Sequence, residues 1–196
     1  MFASRVVIAG MLAMITGHIS FFREESKTAM TPAAKITLSN PIYVAGYQVR
    51  TNNAREMSGQ GEIGKLWGRF MQQNLAAHIP NRVGQTLIVV YSDYASDEKG
   101  DYSYLLGAPV SSVDAPPAGL TYRHIQPGTY AVIEMDKGDV TQIVPGAWRR
   151  IWAMTPEELG GRRAFTEDYE VYDQRSADPK NARVEIHLAL RSANSD

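Results

Sequence analysis

The chain has 196 residues, enough for one ordinary domain or two very small ones. Its 44% hydrophobic and 21% charged residues are a normal globular composition, and a net charge of −1 argues against direct nucleic-acid binding. There is no cysteine, which excludes disulfides, thiol nucleophiles and cysteine-based zinc sites.

Residues 1–35 differ from the rest of the chain. Residues 6–19 are apolar and small, with Arg5 before them. That run is too short to span a bilayer comfortably, and no small-x-small cleavage site comes after it. Met30-Thr31-Pro32 leads straight into folded-looking sequence. The expectation is therefore an extended reading frame whose start is Met30, and a cytoplasmic protein. The alternative is a signal or anchor, and an exported or membrane-anchored one.

Residues 42–50 read as a strand, with Val44, Gly46 and Gln48 on one side and Tyr43, Ala45, Tyr47 and Val49 on the other. Residues 51–60 are polar and loop-like. Ile63, Leu66, Trp67, Phe70, Met71 and Leu75 then recur at helical spacing. Pro80 predicts a stop near Ile79. Residues 86–91 form a β-branched strand, residues 97–101 a charged turn, residues 102–110 the returning strand and residues 111–119 a linker. The second half repeats the order. Residues 128–135 read as a strand, and Val140, Ile143, Val144, Ala147, Trp148, Ile151 and Trp152 make a second helical stripe. Pro145 lies early enough to be tolerated in the first turns or to start the helix. Residues 169–172 and 184–190 read as strands around a polar turn at residues 176–181.

A shift of 81 residues lays Trp67 on Trp148, Tyr91 on Tyr172, and residues 102–110 on residues 183–191 without a gap. The opening strands need a slip of about one residue. Strand, helix, strand, strand thus occurs twice. This predicts an α+β fold of duplicated units about a pseudo-twofold axis, with one shared core and a cleft between the units.

The residue that disturbs the pattern is Glu170. Side chains alternate along a strand, so Asp168, Glu170 and Tyr172 share one face. If that face points inward, a carboxylate sits beside a tyrosine in a poorly solvated place, which is costly without a compensating partner. A cationic ligand is one such partner. Arg162, Arg163, Arg183 or a backbone donor is the plainer one. The equivalent position in the first half is Val89, so the charge breaks the repeat on one side only.

Trp67, Trp148 and Trp152 sit on the two helical stripes, where such residues are commonly core. Trp67 and Trp148 occupy equivalent positions and so are expected to flank the cleft. Aromatic faces attract a bulky organic cation and a carboxylate neutralises it. Tyr172, Tyr91, Tyr104 and Tyr47 are the further wall candidates. Glu185 reads as structural. His78, His124 and His187 are scattered without metal-ligand spacing, so no metal and no cofactor is expected. Residues 59–64 have a G-x-G-x-x-G form, but no strand leads tightly into it, and it is treated as a false match.

The runs Leu159-Gly160-Gly161-Arg162-Arg163-Ala164-Phe165, Asp168-Tyr169-Glu170-Val171-Tyr172-Asp173 and Val184-Glu185-Ile186 resemble the gyrase-inhibitor-like (GyrI-like) effector-binding domains. Residues 63–70, Tyr104-Leu105-Leu106-Gly107, Gln126-Pro127-Gly128-Thr129-Tyr130 and the Trp148-x-x-Ile151-Trp152 pattern fit as well. The resemblance covers residues 36–191 and leaves residues 192–196 as a tail. It implies a curved antiparallel sheet with two helices and a central cleft. It also implies a lipophilic, often cationic ligand held by aromatics and a buried glutamate, which falls on Glu170. Such domains form the sensing halves of AraC-type and MerR-type multidrug regulators; this chain carries no DNA-binding half. The expected function is a stand-alone sensor or sequestering module for lipophilic cations. The alternatives are a small hydrolase of reactive electrophiles using the same pocket, and a protein that docks on a separate regulator or on gyrase.

Overall fold

The computed structural model describes residues 33–113 and 118–192. The expectations for residues 1–32, 114–117 and 193–196 lie outside them. The described chain forms eight strands and four helices: β1 (Ala34–Leu38), β2 (Ile42–Thr51), α1 (Asn53–Met57), α2 (Ile63–Gln72), β3 (Leu87–Ser92), β4 (Tyr102–Pro109), β5 (Thr121–Ile125), β6 (Gly128–Glu134), α3 (Val140–Ala153), α4 (Pro156–Leu159), β7 (Asp168–Tyr172) and β8 (Glu185–Ala189).

One antiparallel sheet holds all the strands in the order β1-β6-β8-β7-β3-β4-β2-β5. Its centre is the β7–β3 pair, one strand from each half. Its edges are exchanged: β1 pairs with β6 of the second half, and β5 pairs with β2 of the first. The halves therefore cannot separate without breaking both edges and the middle. β1 and β5 are absent from the sequence reading, because each is short and one begins inside the segment set aside as an extension.

The repeat is less regular than a single shift. Val89 pairs with Glu170, and the sequence shift of 81 relates these same two residues. A twofold axis between antiparallel strands brings a residue opposite its own equivalent only at the axis itself, so the axis passes between Val89 and Glu170. The last strands depart by one residue. Ile88 pairs with Gly107, whereas its equivalent Tyr169 pairs with His187, a shift of 80 from β4 to β8. A one-residue slip exchanges the two faces of a strand. It keeps Val184, Ile186 and Leu188 on the face occupied by Tyr104 and Leu106. The strands read as opening each half, β2 and β6, are related by a shift of 86, since Val44 pairs with Pro109 and Tyr130 with Ala189. They slip by five residues against the shift of 81, and not by the one expected from the sequence.

Each face of the sheet has a core. On one face Val89, Tyr91, Tyr104, Leu106, Ala131 and Ile186 pack with Leu66 and Phe70 of α2 and with Ala147, Trp148 and Ile151 of α3. On the other face, Val44, Ile88, Val90, Leu105, Ile125, Tyr130 and Tyr169 bury one another without a helix. Strands from across the sheet meet in that cluster, which requires the sheet to curl around it. Gly46 and Gly107 face each other in β2 and β4, and a Cβ on either would land on a backbone carbonyl of the opposite strand. Gly107→Ala is expected to cost about 1–3 kcal/mol, the usual penalty for forcing atoms into a packed core. A chemical melt within ~0.5 kcal/mol of wild type, the scatter of neutral surface substitutions, would refute this.

The first helical stripe is interrupted. α2 ends at Gln72, Asn74 adopts a left-handed conformation, and Leu75–His78 is a single 3-10 turn. α3 begins ahead of Pro145, with Asp139 accepting from the Thr141 N–H.

Candidate ligand-binding cleft

Glu170 is fully buried, on the face of β7 that looks toward α3. The Tyr91 hydroxyl donates to its Oε1 at 2.8 Å, and the Trp148 indole N–H donates to the same oxygen at 2.6 Å. The Tyr172 hydroxyl donates to Oε2 at 2.6 Å. All three donors are neutral. Burial pushes the Glu170 carboxyl above the usual carboxylate range, against the downward pull of those hydrogen bonds. Burial first, and then the nearby Glu170 charge, push the Tyr91, Tyr104 and Tyr172 phenols well above their ordinary value. They therefore keep their protons and remain donors.

The arginine that could have neutralised Glu170 is engaged elsewhere. Arg163 pairs with Asp168 at 2.5 Å, both side chains being buried. Asp168 also accepts from the Tyr94 hydroxyl at 2.7 Å and the Ala189 N–H at 2.8 Å. Arg162 and Arg183 are exposed. Two carboxylates on one strand face thus differ in kind. Asp168 has a cation and a full set of donors, whereas Glu170 has donors but, among the described residues, no cation.

Glu170 lines a cavity of about 1430 Å³, above the ~300–1,000 Å³ of most small-molecule pockets. Trp67, Trp148, Trp152, Tyr91, Tyr104 and Tyr172 line it too. The Trp67 ring lies 5.1 Å from that of Tyr172, tilted by 60°, and the Trp148 ring lies 4.7 Å from that of Tyr91, tilted by 57°. The Trp67 N–H donates to the Tyr104 hydroxyl at 2.7 Å. Met57 and Met71 also line the cleft and are 68% and 64% exposed, which places soft, adaptable side chains at its mouth.

Tyr47 is the one sequence candidate that the structure does not bring to this cavity. It has the right face, but β2 lies beyond β3 and β4 from β7. Its ring packs edge-on against Phe70 at 6.2 Å, with the Arg69 guanidinium 5.7 Å above it. Tyr94, Tyr102 and Met57 are lining residues absent from the sequence candidates. Tyr102 was within reach of sequence reasoning, because it lies two residues from Tyr104 and so shares its face.

The G-x-G-x-x-G run is occupied by the protein itself. Glu56 accepts from the N–H groups of Glu62 and Ile63 at the start of α2, at 2.8 and 3.3 Å, and from the Thr51 hydroxyl. A Cβ on Gly61 would collide with that carboxylate. Glu185 pairs with Arg175 at 2.7 Å. Among the described residues no group of three His, Asp or Glu is placed to hold a metal ion, and no helix is long and apolar enough to cross a membrane.

The description of the Cass2 family, the integron-associated effector binding proteins, matches residues 35–190. The chain belongs to this family. The match spans both halves of the repeat and every residue of the cleft named above. YobU of Bacillus subtilis (strain 168), named as a candidate transcriptional regulator, is 31% identical over 148 residues, which is 75% of this chain and 91% of YobU. The Vibrio cholerae integron cassette protein VCH_CASS2 superposes with a TM-score of 0.64 at 25% identity, over 82% of this chain and 96% of that one. SAV2435, solved bound to tetraphenylphosphonium, superposes with a TM-score of 0.66 at 15% identity, over 83% of this chain and 95% of its own. That likeness is one of fold. The GyrI-like architecture expected from the sequence is thus the one observed, with two additional short helices, α1 and α4, and two exchanged edge strands.

Proposed function

We propose that this effector-binding protein takes lipophilic cations and acts as a stand-alone sensor or sequestering module in the cytoplasm. The observation that carries this reading is Glu170, a fully buried carboxylate whose three donors are all neutral, in a cleft walled by aromatic rings. A buried charge without a cation is unfavourable in the empty protein. A bound cation relieves it, and the ring faces add their own attraction. The tetraphenylphosphonium bound by SAV2435 is a molecule of this class in a protein of this fold.

All three tryptophans of the chain line the cleft, so their fluorescence reports on this site. Titration with tetraphenylphosphonium is expected to change it saturably, and the neutral analogue tetraphenylmethane is expected to bind at least tenfold more weakly. Equal binding of the two would remove the role given to the carboxylate.

The affinity should also depend on pH in a defined direction. Glu170 attracts a cation only when ionised, and burial raises its carboxyl in the empty protein. A bound cation favours the ionised form. Affinity for a quaternary cation, which has no proton of its own, is therefore full above the raised value. It falls as pH drops through that value, by up to about tenfold per pH unit. The facing phenols of Tyr91, Tyr104 and Tyr172 stay protonated throughout, and Arg163 stays charged, so neither reverses the sign. Calorimetry in two buffers of different ionisation enthalpy would show proton release on binding in the acidic range. A flat profile there would contradict the assignment.

A further inference from the structure

We infer that the cleft selects a two-armed monocation, with its charge at the centre and a flat apolar group on each side. This deepens the reading above and rests on it. The pseudo-twofold axis passes between Val89 and Glu170, so the one fully buried carboxylate among the cleft's described lining residues sits at the centre of the site, while Glu56, Glu98 and Asp173 line it at partly exposed positions. The walls on either side are duplicated. Trp67 packs at a tilt against Tyr172 and Trp148 against Tyr91, and the shift of 81 converts one pair into the other, at nearly equal separations of 5.1 and 4.7 Å. The same shift relates Ile63 to Val144 and Met71 to Trp152, and all four line the cleft.

The fully buried charge is therefore single and central, while the apolar surface is double and lateral. A ligand with a terminal cation must put its charge on the axis and its whole apolar body into one lobe. The other lobe then stays wet, and its rings gain nothing. A ligand with a central cation fills both lobes while its charge stays beside the carboxylate. A dication would find no second buried carboxylate at the equivalent position, because Val89 stands there. Of the partly exposed lining carboxylates, Glu56 is held by the Glu62 and Ile63 N–H groups and Asp173 is paired with Arg175.

Two isomeric probes separate these cases: bis(naphthylmethyl)dimethylammonium, whose charge lies between two arms, and (binaphthylmethyl)trimethylammonium, whose charge lies at one end. The first is expected to bind at least tenfold more tightly. Met71→Ala and Trp152→Ala, at equivalent positions in the two lobes, are both expected to weaken it. Equal affinity of the isomers, or sensitivity to only one of the two substitutions, would overturn the two-armed assignment and leave cation binding intact. Failure of both probes to bind would overturn the cation reading as well.

Discussion

Glu170→Gln is expected to weaken binding of a lipophilic monocation by about 30-fold or more, the lower end of the ~2–5 kcal/mol seen when one partner of a desolvated charge pair is lost. The lower end applies because Glu170 is capped. Tyr91, Trp148 and Tyr172 cover both of its oxygens, so the cation meets the carboxylate through and beside the rings that hydrogen-bond to it. Glutamine keeps the shape and one acceptor oxygen, and removes the charge. Affinity for neutral lipophilic molecules should stay within a few-fold of wild type, which separates lost charge from a collapsed cleft. The same variant should melt higher than wild type at neutral pH in the absence of ligand. The folded-state pKa of Glu170 lies above its unfolded value, so the unfolded chain gives up its proton first. Stability is then lost as pH rises from the unfolded value through the folded one. Glutamine removes that loss, so its advantage should vanish in acid. Unchanged cation affinity in Glu170→Gln would end the assignment of this residue as the charge-recognising group.

Asp168→Ala is expected to be the most destabilising single change on β7, by about 3–5 kcal/mol, the cost of leaving a buried ion partner unpaired. Three groups lose their acceptor at once: the Arg163 guanidinium, the Tyr94 hydroxyl and the Ala189 N–H that ties β7 to β8. Arg163 is 8% exposed and lies 4.2 Å from the Phe165 ring, so it cannot easily turn out to water. Denaturant melts would measure the effect. Asp168→Asn keeps an acceptor but not the charge and should fall between the two. A loss under ~1 kcal/mol, the most expected of a surface pair, would mean that the pair is effectively solvated. The two carboxylates thus make opposite predictions although they sit two residues apart on one face. Removing the charge of Asp168 weakens the fold, and removing that of Glu170 relieves it.

Much of the site was legible because faces are set by alternation. The period of two put Glu170 and Tyr172 together, and the helical period put Trp67 and Trp148 on one stripe each. The same rule selected Tyr47, correctly as to face, and could not tell that β2 lies two strands removed from β3. Lateral position in a sheet is decided by strand order, which leaves no mark on the period. The arginine question was of the same type. Arg163 was, with Arg162 and Arg183, a candidate partner for Glu170, and that it pairs with Asp168 instead depends on where the preceding loop lands.

The sequence by itself determined the two helices, the central strands, the repeat and the oddity of one glutamate in a duplicated chain. These are local or internally repeated signals, carried by residues a few positions apart or by direct comparison of the halves. Only the tertiary structure decided that Val89 and Glu170, equivalents 81 residues apart, are also neighbours across the centre of the sheet. It likewise set the one-residue slip of β8, the exchange of β1 and β5, and the three neutral donors that close around the carboxylate. Each is a pairing between distant segments, fixed when backbone donors and buried faces must all be satisfied at once. No pattern read along a single segment contains that requirement.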